Sequence, residues 1–430
     1  MPQKIRKERR DFLKIAAAGT AVASMGPFFN TKAWAAKSIK IGHVNTFSGP
    51  LAALGEQGKW GLMVAVNRIN ADGGINGRMI EVLDRDDGFK PAQAVREGEK
   101  LILKDKVDAI TGVSSSGICV QLAPLVERFD TLFVLGTGCE TTSLTGDTVK
   151  SCPKHVFRPY NSTRCQAIAM APWAIANGIK SATALYMDMA WGQSVQKDFA
   201  EEFVRLGGTW VEPVGAPTST ADYLPFVTRL NQEVDGVLWG MSGGPAIKSM
   251  LAAADIGLTK KMKLFGPASA SDVNTIDQQG QSAVGGFYLH RYPPVKSLDG
   301  SPFDDNPNHA FRNEFMKLSK GVLPSGFAQA QFTGMNVIAD TMRGVNFEDK
   351  KQDTSRMIEW LEGGDTTHGP GRIFERGRDY PQGEIYLRGS DHQGFVNFYM
   401  ATVEPDLSYK IIGDVVPLET TLYPSKFDVC

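Results

Sequence analysis

Short clusters of small polar residues recur along the chain at the ends of apolar runs, and their types suit the binding of a small anion or amide. The first cluster, Ser-Ser-Ser-Gly at residues 114–117, follows one apolar run and precedes a helical pattern. Backbone N–H groups and the dipole at a helix N-terminus favour an anionic group such as a carboxylate. Serine hydroxyls add hydrogen bonds without adding a net charge. Capping the helix is the ordinary role of such serines, and one serine can both cap a helix and contact a ligand.

Four further clusters of this kind follow apolar runs. They lie at residues 137–140, 188–192, 241–245 and 266–269. In open parallel sheets, ligands bind at the carboxyl ends of the strands, where loops of this kind gather. The repetition therefore predicts a small-molecule site that is built from several strand ends.

The common phosphate-loop, dinucleotide and zinc-protease motifs are missing from the sequence. The first apolar run is followed by residues 46–48, Thr-Phe-Ser, instead of a glycine-rich dinucleotide loop, and no GxxxxGK[ST] or HExxH motif occurs. The six histidines are scattered and there is no CxxC pair, so we expect neither a metal nor a cofactor. Cys139 beside Glu140 could act as a nucleophile, but no histidine is near it in sequence. A non-enzymatic binding protein is therefore favoured, with a secreted hydrolase of small amides as the alternative.

The five cysteines are an odd number, so at least one stays unpaired within the chain. Cys139 and Cys152 are close in sequence, and in an oxidising compartment a bridge between them would contribute about 3 kcal/mol. Pairing of Cys119 with one of these two is the alternative. We expect Cys430 to be free.

The elements that must position the polar clusters alternate between strand and helix. Residues 39–87 form one such unit, with a buried strand, a helix bearing one apolar stripe, and a second strand. Gly73 and Gly74 suit the left-handed conformation that ends a helix. The pattern repeats through residue 269 and indicates parallel sheets with right-handed crossovers. The roughly 395 residues after an N-terminal segment exceed one ordinary core, so we expect two lobes.

The same unit carries a family resemblance. The fragments SGP, NRINADGGINGR and DRDD are similar to the leucine/isoleucine/valine-binding protein family, the periplasmic receptors of ABC importers for branched-chain amino acids and amides. The similarity continues through KLILKDKVDAITG, SLTG, HVFRPY, AWGQS and LFGPAS. The order and spacing of these fragments make the resemblance specific.

This resemblance implies an α/β fold with two doubly wound parallel-sheet lobes joined by a three-stranded hinge, the type I periplasmic binding protein. The implied N-terminal lobe comprises residues 38–157 and 291–369, and the C-terminal lobe residues 158–290 and 370–430. The implied hinge crossings lie near residues 157–159, 288–293 and 369–372. The expected partners are a small-molecule ligand and the membrane permease and ATPase subunits of an importer, and the chain is expected to be a monomer.

The resemblance also points to particular ligand-binding residues. The candidates are Phe47, Ser115, Ser116, Gly138, Glu140, Trp191, Met241, Ser242 and Ala268. In the family, the serine that aligns with Ser116 binds the ligand carboxylate, and an aromatic residue at the position of Trp191 closes over the ligand. The ordinary alternatives are packing for Phe47 and Trp191, and a solvated surface carboxylate for Glu140.

One departure from the family pattern bears on the class of ligand. Family members that bind α-amino acids place a glutamate against the ligand ammonium, and Ala268 stands at that position here. A buried ammonium without a counter-charge is strongly disfavoured. Either the ligand has no ammonium or Glu140 supplies the charge. We favour the first case, a small carboxylic acid or amide, with Glu140 then protonated or turned to solvent.

Residues 1–35 are interpreted as an export signal. A basic start, an apolar stretch and the small residues Ala33 and Ala35 are typical of a signal peptide. Arg9 and Arg10 indicate the twin-arginine route, although Glu8 replaces the usual Ser or Thr. The segment has seven basic and two acidic residues, so its removal takes the formal net charge from −1 to about −6. We therefore expect a periplasmic protein without a nucleic-acid partner.

Overall fold

The computed structural model describes residues 37–145, 153–293 and 305–425. The predicted export signal at residues 1–35 lies outside the described residues, as do Cys152 and Cys430. The compact unit that starts at Ser38 contains all the elements given below.

The described residues form strands and helices that alternate through the first two thirds of the chain. The strands are β1 (Ile39–Asn45), β2 (Ile80–Asp86), β3 (Ala109–Gly112), β4 (Leu132–Leu135), β5 (Val156–Phe157), β6 (Ser181–Met187), β7 (Thr209–Trp210), β8 (Val214–Ala216), β9 (Gly236–Gly240), β10 (Lys263–Pro267), β11 (Phe287–His290), β12 (Asp365–Thr366), β13 (Gly369–Phe374), β14 (Ile385–Arg388), β15 (Gly394–Val396), β16 (Tyr399–Val403) and β17 (Tyr409–Ile411). The α-helices are α1 (Ala52–Ala71), α2 (Pro91–Lys100), α3 (Ser116–Arg128), α4 (Thr163–Ala176), α5 (Ala190–Arg205), α6 (Leu224–Val227), α7 (Gly243–Asp255), α8 (Leu258–Lys261), α9 (Ile276–Gln279), α10 (Asn306–Leu318), α11 (Gly326–Gly344) and α12 (Lys350–Glu362).

The first sheet has five parallel strands in the order β2-β1-β3-β4-β5. Ile39, Ile41 and Val44 of β1 are buried, as expected for a strand that has neighbours on both sides and helices over both faces. Helix α1 buries the predicted apolar stripe and ends before Gly73 and Gly74, whose φ angles are 96° and 80°. These glycines confirm the predicted end of the helix.

Helices from the last third of the chain return to this sheet. Helix α11 makes an extensive contact with α1, and α10 also packs on α1. The two longest helices approach closely at Gly61, where an added Cβ atom would lie 2.0 Å from the carbonyl oxygen of Ala328. We call the first sheet and the helices packed on it the first lobe.

The second sheet contains β17-β16-β11-β10-β9-β6-β7 in that order, and β8 also pairs with β6. Strands β6 to β11 pair in parallel, whereas β16 and β17 add two antiparallel strands at one edge. Trp239, Phe199 and Phe265 are fully buried in its core. This sheet and helices α4 to α9 are the second lobe, and the two parallel sheets confirm the predicted α/β class.

The prediction that all of residues 370–430 complete the second lobe is wrong. Strands β12 to β15 pair antiparallel with one another in a separate small sheet. Side-chain contacts hold this sheet on the helices of the first lobe, because Phe374 packs against Trp360 and Tyr380 donates a hydrogen bond to Asp340. Only β16 and β17 join the second sheet.

In the ranges that the structure describes, three segments connect the lobes, and the third lies elsewhere than expected. The first follows β5, where the N–H of Arg158 donates to the carbonyl oxygen of His392 and the N–H of Gly394 donates to that of Arg158. The second, residues 291–293, follows β11. The third is the step from β15 to β16 at residues 397–398 rather than residues 369–372, because β13 is held by its antiparallel partners.

Candidate functional site

Two connected cavities lie at the carboxyl ends of the parallel strands, between the lobes. The front compartment has about 310 Å³ of empty volume, and the hinge compartment, next to the second crossing, has about 600 Å³. Both are lined by Glu140, Ser269 and Phe327. The front compartment is also lined by Leu51, Leu54, Ser114, Ser116, Gly138, Met187, Met189, Trp191 and Ser242. The hinge compartment is also lined by Gln166, Ala268, Asp272, His290, Arg291, Tyr292, Phe398 and Tyr409, among others.

Serines at the start of α3 form the first-lobe wall of the front compartment. The hydroxyl of Ser116 accepts hydrogen bonds from the backbone N–H groups of Glu140 and Thr141, both at 3.2 Å. Its own O–H group is left to donate to a ligand. The hydroxyl of Ser114 donates to Asn45 Oδ1 at 2.5 Å, which fixes the loop that precedes the helix. The wall therefore offers a helix N-terminus and a hydroxyl donor, which suit a carboxylate or an amide oxygen.

A buried ion pair lies at the boundary of the two compartments, because Glu140 lines both cavities. Glu140 Oε1 lies 2.5 Å from Arg291 Nη1, and the two side chains are 8% and 7% exposed. The other oxygen of Glu140, Oε2, accepts a hydrogen bond from Trp191 Nε1 at 2.9 Å. Arg291 also donates to the carbonyl oxygens of Thr137 and Gly326. A buried ion pair is stable only when its remaining hydrogen-bonding groups are satisfied, and this one meets that condition.

This geometry corrects the expectation for Glu140. We expected the carboxyl group to be protonated or turned to solvent if no ligand ammonium faces it, because no cationic partner was foreseen. Arg291 is that partner, and both carboxylate oxygens of Glu140 are already engaged by the protein. Glu140 is also buried rather than on the surface, so the alternative of a solvated carboxylate is wrong.

Hinge residues hold the loop that carries Glu140. The guanidinium group of the fully buried Arg158 donates to the carbonyl oxygens of Cys139 and Thr141 at 3.2 and 2.8 Å. The hydroxyl of Tyr160 accepts from the backbone N–H of Cys139 at 2.9 Å, and burial raises the pKa of this phenol to about 12. The loop is thus fixed by side chains from the first crossing.

A disulfide joins the same loop to α3. It links Cys119 to Cys139, so the predicted pairing of Cys139 with Cys152 is wrong and the alternative pairing through Cys119 is found. The physical reason is tertiary, because β3 and β4 are neighbours in the sheet and their following segments are adjacent. The bridge therefore ties together the two first-lobe segments that line the front compartment.

The second-lobe wall is built from the first turns of α5 and α7. Trp191 is the second residue of α5 and is buried, whereas the sequence predicted a loop at residues 188–192. Ser242 precedes α7, and the next residue, Gly243, has a φ of 58°. A Cβ atom at Gly243 would lie 2.9 Å from the carbonyl oxygen of Pro50 in the first lobe. The glycine therefore permits a close approach of the two lobes.

Hydrogen bonds cross the cleft at this edge. The N–H of Gly244 reaches the carbonyl oxygen of Pro50 at 3.4 Å, and the hydroxyls of Thr141 and Ser194 are 2.8 Å apart. With the bond from Trp191 to Glu140, these contacts hold the two lobes together over the front compartment. The structure therefore presents the cleft in a closed arrangement.

The hinge compartment has a different electrostatic character. Burial raises the pKa of Asp272 to about 7 and lowers that of His290 to about 3. His290 is therefore neutral at physiological pH, and burial favours the protonated form of Asp272. Among the described residues, Gln166 Oε1 and His290 Nε2 are buried without a hydrogen-bond partner.

The predicted site residues divide into three groups. Ser116, Gly138, Glu140, Trp191 and Ser242 come together around the front compartment. Ala268 lines the hinge compartment instead.

Three further candidates line neither cavity. Phe47 packs edge-on against His43 and lies under the ammonium group of Lys59. Ser115 is buried before α3 without a side-chain cap bond. Met241 is fully buried, and its carbonyl oxygen accepts from the hydroxyl of Ser269.

Several residues of the cavities were missed from the sequence. Gln166, Asp272 and the adjacent pair His290 and Arg291 lie on three separate stretches, and none belongs to a recognisable motif. Arg291 had an indirect signal, since a basic residue within the implied crossing at residues 288–293 suggests a polar role. Asp272 follows the cluster at residues 266–269 by three positions. This proximity to a cluster at a strand end was the one signal in the sequence that Asp272 could line the site.

No group of three or more histidine, cysteine, aspartate or glutamate side chains in the described ranges is arranged to hold a metal ion. Within the same ranges, no helix combines the length and apolar character needed to cross a membrane.

Comparison with known proteins identifies the family to which this chain belongs. The model of the periplasmic binding protein family matches residues 38–407. The Leu/Ile/Val-binding protein homolog 6 of Brucella melitensis is 25% identical over 386 residues, which cover 87% of this chain and 92% of the relative. Homolog 4 of Brucella abortus is 23% identical over 389 residues, covering 88% and 86%.

Solved structures share the fold. A solute binding protein of an ABC transporter from Rhodopseudomonas palustris BisB5, in complex with 3,4-dihydroxybenzoic acid, is 22% identical with a TM-score of 0.75, and the match covers 89% of this chain and 98% of that one. A leucine binding protein from Thermotoga maritima is 17% identical with a TM-score of 0.72, covering 89% and 99%. Two parallel-sheet lobes, a cleft at their strand ends and a family match over most of the chain agree: the protein belongs to the periplasmic binding protein family.

Proposed function

We propose that this chain is the periplasmic substrate-binding protein of an ABC importer and that it captures a small amino acid, amide or carboxylic acid by closing its lobes. The observation that carries the proposal is the front compartment. Side chains from both lobes line it, and hydrogen bonds between the lobes close over it. A ligand that contacts both walls would favour the closed arrangement through its higher affinity for that state.

The nature of the first-lobe wall supports a carboxylate or amide oxygen as the group bound there. The N-terminus of α3 and the hydroxyl of Ser116 both provide hydrogen-bond donors. Proteins with the same fold provide a chemical parallel, since solved relatives hold benzoate in one case and isoleucine in another. Each of those ligands carries a carboxylate, so the donor-rich wall is consistent with a small organic acid.

The family membership supports the rest of the proposal. The solved relative from Rhodopseudomonas palustris is a component of an ABC transporter, and we extend that role to this chain. Its partners would then be a membrane permease and an ATPase. We place the protein in the periplasm, with delivery by the twin-arginine route indicated by Arg9 and Arg10. We also propose that it acts as a monomer.

The experiment that tests the function is mass spectrometry of the small molecule released when the purified protein is denatured. The released molecule should be a small acid, amide or amino acid, and it should rebind in a calorimetric titration. Binding should saturate at one molecule per chain, because one interlobe cleft is available. A protein that releases nothing and binds none of these compound classes would contradict the proposal.

The alternative of a secreted amide hydrolase is tested in the same sample. The nucleophile considered for it, Cys139, is engaged in a disulfide with Cys119 and is fully buried. We therefore expect the released molecule to be recovered unchanged after prolonged incubation with the protein. Appearance of a hydrolysis product at a rate that depends on protein concentration would favour the hydrolase.

A further inference from the structure

The hinge compartment contains polar atoms for which the protein provides no partner. Gln166 Oε1 and His290 Nε2 are buried and unpartnered among the residues that the structure describes, and the two side chains are only 6% and 5% exposed. A buried polar atom left without a hydrogen bond costs about 1–3 kcal/mol. Both side chains line the compartment, so a turn of the terminal amide or of the imidazole ring would present these atoms to a group bound there.

The carboxyl group of Asp272 lies in the same compartment. It accepts a hydrogen bond from the backbone N–H of Asn274 at 2.9 Å, and no basic side chain of the described residues comes within ion-pair distance of it. The nearby guanidinium of Arg291 is already committed to Glu140, Thr137 and Gly326. Asp272 is thus a buried carboxyl group without a cationic partner of its own.

The charges of the compartment are unbalanced as a result. Glu140 and Arg291 neutralise each other, and His290 is neutral because burial lowers its pKa to about 3. Ionised Asp272 would leave one negative charge in an environment walled by Tyr292, Phe398 and Tyr409. Burial raises its pKa to about 7 for this reason, and a cation bound beside it would reverse that effect.

We propose that the hinge compartment is a subsite for a ligand ammonium group, with Asp272 as its counter-charge and with Gln166 and His290 as further hydrogen-bond acceptors. The proposal rests on the proposed function, since it names the class of ligand that the same cleft takes. It also gives a third explanation for how the protein could bind an ammonium group although Ala268 replaces the glutamate of the family. The counter-charge comes from Asp272, four residues further along the second lobe, and Glu140 keeps its bond to Arg291.

The separation of the compartments sets the shape of the ligand. Donors that suit a carboxylate line the front compartment, whereas the proposed acceptors line the hinge compartment. The ligand therefore carries its ammonium and its acid group on different carbon atoms. An ω-amino acid or an aminomethyl-substituted aromatic acid has this form, and an α-amino acid does not.

The test uses matched compounds that differ only in the amine. The pairs are 5-aminopentanoate with pentanoate and 4-(aminomethyl)benzoate with benzoate, and affinity is measured by calorimetry on the intact protein stripped of ligand. The variants are Asp272→Asn, which keeps the shape of the side chain, and Gln166→Leu. Asp277→Asn is the matched control, because it makes the same change at an exposed residue in the first turn of α9.

In at least one pair, the wild-type protein should bind the amine-bearing member about tenfold or more tightly than its partner, and Asp272→Asn should remove that preference. Gln166→Leu should reduce the preference by a smaller factor, and Asp277→Asn should leave it unchanged. Equal or tighter binding of the amine-free member in both pairs, or a preference that survives Asp272→Asn, would overturn the proposal. Failure of every amine to bind would overturn it too. The proposed function would then be judged separately, by the molecule released on denaturation.

Discussion

The two compartments of the cleft differ in how their polar groups are satisfied. Around the front compartment the protein supplies the partners, since Ser114 bonds to Asn45, Ser116 receives two backbone N–H groups, and Glu140 is held by Arg291 and Trp191. Around the hinge compartment, Asp272 lacks a cation, and Gln166 and His290 each have an unpartnered atom. The protein itself satisfies the polar groups of the first region in the closed arrangement, and the ligand completes the second. The front compartment therefore positions the acid group of the ligand, and the hinge compartment selects ligands that also carry an ammonium group.

The largest effect is expected from breaking the boundary between the compartments. Arg291→Met should lower the free energy of unfolding by about 3–5 kcal/mol, because it leaves the buried carboxylate of Glu140 without its partner. Chemical denaturation followed by circular dichroism measures this loss. Arg291→Met combined with Glu140→Met should recover part of it. Arg378→Met, which breaks a half-exposed ion pair with Asp72, is the control and should cause no comparable loss. A minor effect of Arg291→Met would show that the front compartment is not held by this pair.

Removal of the disulfide should have the next largest effect. Cys119 and Cys139 are 20 residues apart, and a bridge over a loop of this length contributes about 3 kcal/mol. The double variant Cys119→Ala, Cys139→Ala should lose about that amount in denaturant unfolding, and its midpoint should not respond to a reducing agent. Ligand affinity should also fall, because the bridge joins the two segments of the first-lobe wall. Unchanged affinity would limit the bridge to a role in stability.

Trp191 tests whether the front compartment is completed from the second lobe. Trp191→Ala should weaken ligand binding by about 2 kcal/mol or more, since the variant loses both the apolar contact and the hydrogen bond to Glu140. Trp210→Ala is the matched control, because Trp210 is half-buried on the same lobe away from both cavities. If both variants bind alike, Trp191 has only a packing role.

Asp272 tests the opposite character of the hinge compartment, with a smaller effect. The pKa of this carboxyl group is raised to about 7 in the folded protein, whereas an unfolded Asp has a pKa of about 3.9. The folded state therefore binds more protons between these values, and the contribution of Asp272 to stability is lost as the pH rises through that window. Asn does not titrate, so Asp272→Asn should stabilise the ligand-free protein by about 1 kcal/mol or more at pH 8 and by less at pH 5.

Thermal unfolding at the two pH values measures this difference. Arg291, His290 and Tyr409 also face Asp272. Burial lowers the pKa of His290 to about 3 and raises that of Tyr409 well above its usual value, so neither changes charge between pH 5 and pH 8. Destabilisation by Asp272→Asn at pH 8 would mean that the carboxylate has a partner within the protein. The hinge compartment would then resemble the front compartment, and the contrast between them would fail.

Local sequence patterns were enough to predict the parts of the molecule that are set by neighbouring residues. The helix that ends at Gly73 and Gly74, and the strand–helix repeat, depend on periodicity and glycine conformation. The gathering of Ser116, Glu140 and Trp191 around one cavity follows from parallel strands that end at a common edge, together with the family resemblance.

The features that sequence could not give depend on tertiary geometry. The partner of Cys139 is decided by the adjacency of β3 and β4, which outweighs closeness in sequence. The third crossing shifts because β13 to β15 pair with one another, and antiparallel pairing of this kind left no clear signal. Asp272, His290 and Arg291 meet only because β10 and β11 are neighbours in the second sheet.

Closure of the lobes around the ligand is the central claim, and small-angle X-ray scattering tests it most directly. Scattering is recorded from the ligand-stripped protein and again after saturation with the molecule that the purified protein releases. The radius of gyration should fall on saturation, because contacts such as those of Trp191 with Glu140 and of Thr141 with Ser194 form only when the lobes meet. An unchanged radius at full saturation would contradict the account.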